Sequence, residues 1–137
     1  MRNTNQLPWK SPSTILSLLI GITIFFLGLN FLVNPHIGAA GYGVAVTSTD
    51  ADAYLRAKGI RDVAAGVVLF CLVTYASTRA VALYLLSMTL VPIGDAVVVA
   101  ASGSAPAYAV PMHAATALAM LVLALAMLRR SSRDETR

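Results

Sequence analysis

Four ionisable residues stand inside otherwise apolar stretches of this chain: Arg61, Asp62, Asp95 and His113. An ionisable side chain in hydrocarbon is costly, and such residues mark pathways and binding sites by default. The chemistry open to this set is ion pairing, proton handling or capture of a polar ligand group. Arg61 is the natural partner for Asp62, Asp95 or both. His113 offers a donor to a carboxylate and a charge that changes near neutral pH. Asn30 adds an amide in the first apolar run, and Lys58 adds a charge at the edge of the second. A metal centre is not indicated: His36 and His113 are the only histidines, and neither HxxE nor CxxH spacing occurs. No serine, histidine and acid arrangement suggests a catalytic nucleophile. The single cysteine, Cys71, excludes an internal disulfide and a CxxC redox pair, and its apolar surroundings suggest a packing residue. No cofactor is implied by these residues.

The elements that hold this set must be membrane helices. Of 137 residues, 58% are hydrophobic and 12% charged. A soluble domain carries about 25% charged residues, needed to cover its surface. Mean hydropathy is +0.75. Disorder, a coiled coil, a disulfide scaffold and almost any soluble enzyme are thereby excluded. The formal charge of +4 sits in short flanks, Arg2 and Lys10 at one end and Arg129, Arg130, Arg133 and Arg137 at the other. No basic stripe interleaved with aromatics points to nucleic acid, and the flanks fit the positive-inside rule.

Hydropathy and punctuation predict an all-α, four-transmembrane-helix bundle. Residues 1–13 read as a cytoplasmic tail. Residues 14–128 read as the membrane domain, with helices over 14–33, 54–76, 80–101 and 108–128, and residues 129–137 as a basic cytoplasmic tail. The first run is 20 uncharged residues, about 30 Å of helix. It is too long for the apolar region of an ordinary signal peptide, so it is expected to be retained. Ser13 or Thr14 is its expected cap, and Asn34-Pro35 its stop. Residues 34–53 read as a glycine-containing loop. Thr49 or Asp50 is expected to cap the second helix, whose Asp52 and Arg56 stand at i,i+4. Four spans put both termini on one side, and the basic residues Arg79, Arg129 and Arg130 assign that side to the cytoplasm of a cell membrane.

Counting about 1.5 Å per residue from the cytoplasmic markers brings the polar groups to one depth. Asp95 lies about 24 Å above Arg79, and His113 about 24 Å above Arg129. Asp62 and Arg61 lie about 26 and 27 Å above Arg79, and Asn30 about 25 Å above Ser13. This level is some 5 Å below the outer edge of a ~30 Å hydrocarbon core. Gly59 and Gly66 flank Asp62, so that side of its helix admits a close neighbour. Pro92 and Pro111 free backbone carbonyls near Asp95 and His113. The layer is either a structural lock or a ligand or proton site opening outward. Besides the bilayer, a homodimer or a membrane partner is compatible with the small residues of the second and fourth helices.

The segments Ala39-Ala40-Gly41-Tyr42-Gly43, Ala57-Lys58-Gly59-Ile60-Arg61-Asp62, Val91-Pro92-Ile93-Gly94-Asp95-Ala96 and His113-Ala114-Ala115-Thr116 resemble those of a family of small four-helix membrane proteins, domain of unknown function 4267. The resemblance covers about residues 14–128. It implies four helices and singles out Lys58, Arg61, Asp62, Asp95 and His113 as positions matching the pattern. The chain departs at Ala114, where histidine-glycine is the family expectation. A looser similarity to the DoxX-like group implies an accessory subunit of a membrane redox system. A small proton-coupled transporter is the third reading, against which helix one carries no acid.

Overall fold

The structure, a computed structural model, describes residues 7–135, so Arg2 and Arg137 lie outside the described residues. The chain is all-helical, and among the described residues there is no β-strand. Helix α1 spans Pro12–Val33. Its cap is Ser11, whose Oγ accepts from the Thr14 amide at 3.2 Å. The start lies earlier than Ser13 or Thr14 because Pro12, with φ already helical and no N–H to satisfy, suits the first position. Asn34 ends α1 as expected.

Residues 34–53 are not the loop the sequence suggested. The proline that stops one helix opens another, α2 over Pro35–Tyr42, closed by Gly43 in the left-handed region at φ +109. A Cβ at Gly43 would also lie 2.5 Å from Ala109 Cβ, so α2 is seated directly on the start of the last helix. A single 3-10 turn, Thr49–Ala51, leads into α3, Asp52–Tyr75. Ser48, not Thr49 or Asp50, supplies the cap there, accepting from the Asp50 amide. Asp52 and Arg56 do not pair with each other. Asp52 meets His36, and Arg56 donates to the Leu32 carbonyl.

The third predicted helix is divided at Thr89 into α4, Thr78–Met88, and α5, Leu90–Ala101. Pro92 explains the break: it lacks an N–H, and its ring crowds the carbonyl four residues back. Helix α6, Ala109–Glu135, continues past the predicted end at 128, so the arginine-rich segment is helical as far as Glu135.

Three segments are long and apolar enough to cross a membrane: Pro12–Val33, Thr78–Ala101 and Ala109–Arg133. Side chains such as Leu19, Phe26, Leu118 and Val122 on them are more than half exposed, a surface that water would penalise and lipid would accept. The protein is a multi-pass membrane protein. Helix α3 has 24 residues but carries Asp52, Arg56, Lys58, Arg61 and Asp62 in its first half.

Two helix pairs make the body: α1 with α3, and α6 with α4 and α5. In the first pair Gly21 faces Gly66 and Gly28 faces Gly59, so the helices run antiparallel with backbones nearly touching. A Cβ on Gly59 would stand 2.7 Å from the Gly28 carbonyl, and one on Gly28 2.6 Å from the Val63 amide nitrogen. In lipid, where tails are as apolar as leucine, such close packing is what holds helices together. Tyr84 of α4 donates to the Ala65 carbonyl of α3 at 2.8 Å and ties the pairs together. Where the pairs meet, Leu69, Val73, Val81, Leu85, Met120 and Met127 close one end of the bundle. Leu7, expected in a solvated tail, is buried in this cluster. Cys71, expected to pack, is exposed on the outer face of α3.

Candidate functional site

Beyond that closed end the two pairs separate around a cavity of about 390 Å³. Its walls are apolar, with Leu27 and Phe31 from α1, Met88 and Val91 beside the α4–α5 break, and Met112 and Met120 from α6. Its polar end is formed by Asn30 of α1, Tyr42 of α2, Lys58 and Asp62 of α3, Asp95 of α5 and His113 of α6. Five of the six residues singled out from the sequence therefore line one space. The volume and the mixed lining are in the range of small-molecule pockets, about 300–1,000 Å³.

The groups are held by one another. Lys58 Nζ donates to Asp62 Oδ2 at 2.6 Å, one helical turn away on the same face. The same ammonium lies 4.7 Å from the centre of the Phe31 ring and 5.2 Å from that of Tyr42, over faces that attract a cation. Tyr42 Oη donates to Asp95 Oδ1 at 2.9 Å, and the Tyr42 carbonyl accepts from His113 Nε2 at 2.8 Å. A carbonyl only accepts, so the His113 proton sits on Nε2 and its Nδ1 is turned to Asp95 Oδ2, 4.0 Å away. Burial first, and the Asp95 carboxylate second, push the Tyr42 phenol well above its ordinary value, so it remains a donor.

Arg61 is the sixth residue, and it does not join the others. It is exposed and does not line the cavity; Lys58 is the partner of Asp62. The reason is angular. At about 100° per residue, Arg61 lies some 160° around α3 from Gly59, while Asp62 and Lys58 lie some 60° and 100° from it. Once Gly59 is pressed against α1, Arg61 points outward. The glycine spacing carried that information. Tyr42, which touches three of the polar residues, was not singled out from the sequence. The signal was a proline-opened, glycine-closed octet ending on an aromatic.

A family model described as domain of unknown function (DUF4267) matches residues 21–127. The chain belongs to that family. No curated protein and no solved structure matches it. The stretch matched by DUF4267 contains every residue that lines the cavity, from Thr23 to Met120. Ala114, where the resemblance implied a glycine, is exposed.

A second cluster fastens α2 from outside the cavity. His36 Nδ1 donates to the Val46 carbonyl at 2.6 Å, and Nε2 lies 2.8 Å from Asp52 Oδ1. Only the imidazolium carries a proton on both nitrogens. The hydrogen bond to Val46 foremost, with Asp52 adding to it, raises the His36 pKa above 6.5. The sign follows: the clamp is complete below the ordinary value and is lost as pH rises through the raised one. The protection of amides across residues 43–51, taken relative to the intrinsic exchange rate at each pH, is expected to be higher at pH 5.5 than above the raised His36 pKa, whereas His36→Gln removes the difference. Equal protection at both pH values in the wild type would show that the clamp does not titrate.

Proposed function

We propose that this DUF4267 protein is a four-span protein of the cell membrane, with both termini cytoplasmic, whose cavity takes up a small amphiphilic molecule at the outer face. The single observation that carries the reading is the cavity itself. Side chains from six helices converge on it, with polar groups gathered at one end and apolar walls along the rest. An amphiphile needs that division: hydrocarbon against Leu27, Val91 and Met120, and a polar head among Asn30, Lys58, Asp62 and Asp95. The side chains of Lys58 and Asp95 are 30% and 23% exposed, which supports access from outside the bundle. Orientation is supported by Lys10, Arg79, Arg129 and Arg130, all at the end of the helices away from the cavity. The fourth span is α3, whose charges turn into the cavity or lie at the headgroup level, leaving residues 63–75 apolar.

Gly41 lines the cavity, and a Cβ placed on it meets no atom within 4 Å. Gly41→Trp therefore adds a bulky side chain at the cavity lining with no clash at its Cβ, and is expected to obstruct the cavity. Native mass spectrometry of protein extracted from its own membranes in mild detergent is expected to show a small-molecule adduct on the wild type and none on Gly41→Trp. Identical bare masses for the two would count against a ligand cavity.

A further inference from the structure

We infer that the ligand carries a single protonated amine, and that its ammonium sits between Asp95 Oδ2 and His113 Nδ1. The inference rests on the cavity reading above and adds the chemical class. The formal charges at the polar end are one ammonium and two carboxylates. Lys58 is committed to Asp62 at 2.6 Å and is further held by the rings of Phe31 and Tyr42. Asp95 receives instead a neutral donor, the Tyr42 hydroxyl, on Oδ1. Among the described residues, His113 is the only cation-forming side chain within 4.0 Å of Asp95, and at that distance it makes no hydrogen bond to Oδ2. His113 donates its Nε2–H to the Tyr42 carbonyl, and in the neutral imidazole the Nδ1 that faces the carboxylate carries a lone pair. In that form two acceptors face each other across a 4.0 Å gap, too wide for a hydrogen bond between the side chains themselves. A primary ammonium, with three donors, bridges such a pair and balances the excess carboxylate; an anion would meet repulsion there, and an alcohol would leave the charge unbalanced. The apolar walls then take the body of the amine.

The probes are octylamine, octanol and octanoate, measured by equilibrium dialysis against the protein in nanodiscs of zwitterionic lipid, with empty nanodiscs as the blank. Octylamine is expected to bind at least about tenfold more tightly than octanol, the value of one hydrogen bond to a charged group, with octanoate weakest. Asp95→Asn is expected to bring the amine to the level of the alcohol. The ranking of the three probes on the wild type decides the matter even if Asp95→Asn does not fold. Equal binding of amine and alcohol, abolished by Gly41→Trp, would overturn the amine and leave the cavity reading standing. Tightest binding of octanoate would also overturn it, pointing to Lys58 as the recognising group. If none of the three binds beyond the blank, the cavity reading falls with it.

Discussion

Gly28→Ala, Gly59→Ala and Gly66→Ala are each expected to loosen the membrane bundle, while Gly21→Ala is expected to leave it intact. All four glycines lie on the α1–α3 contact, so a generic preference for small residues would treat them alike. The geometry does not. A Cβ on Gly28 would stand 2.6 Å from the Val63 amide nitrogen, and on Gly59 or Gly66 it would stand 2.7 or 2.8 Å from the carbonyl of the facing glycine. These neighbours are backbone and cannot rotate away. The helices must separate, and overpacking of this kind costs about 1–3 kcal/mol, occasionally more. At Gly21 the nearest atoms are 3.6 Å away, an ordinary contact. There alanine brings its better helix propensity, about 1 kcal/mol, without a clash. Unfolding of the four variants in mixed micelles with increasing anionic detergent reads the order directly. Equal destabilisation at all four positions would mean that α1 and α3 are not packed in this register.

Lys58→Met is the second substitution with a large expected effect, and its meaning depends on a double variant. The single change leaves the Asp62 carboxylate facing an apolar-walled space with its cation gone. Breaking one side of a fully buried pair costs about 3–5 kcal/mol; with these side chains 30% and 19% exposed, roughly 1–3 kcal/mol is expected. Lys58→Met with Asp62→Leu removes both charges and is expected to recover most of the loss. Arg61→Met serves as the control and is expected to change stability by less than about 0.5 kcal/mol, since Arg61 is exposed. A loss at Arg61 as large as that at Lys58 would show that Arg61, after all, serves the acids of α3.

Much of the architecture was legible in the residues because a membrane imposes a one-dimensional code. Apolar runs long enough to cross a membrane, interrupted by polar turns at 34–35, 76–79 and 102–106, delimit the long helices. Depth along a helix is a matter of counting, so Asn30, Asp62, Asp95 and His113 were assigned to one level before any packing was known. The details that failed are those settled by competition between local signals. Pro35 is both a stop and a start, and the start prevailed because Gly43 supplies an end one short helix later. Ser11 displaced Ser13 as the cap because Pro12 belongs inside the helix. The tail residue Leu7 is buried because the closed end of the bundle leaves a place for it.

Composition alone determined that this protein lives in a membrane and that its few interior charges matter, because lipid penalises every polar group that lacks a partner. What composition could not determine is which charge meets which. That is a question of rotation about each helix axis, and rotation is fixed by contacts between helices far apart in sequence. Pressing Gly59 against Gly28 turned Lys58 and Asp62 inward and Arg61 out; seating Gly43 on Ala109 brought Tyr42 between Asp95 and His113. Only the tertiary structure made a layer of polar residues into a cavity with one ammonium and two carboxylates at its mouth.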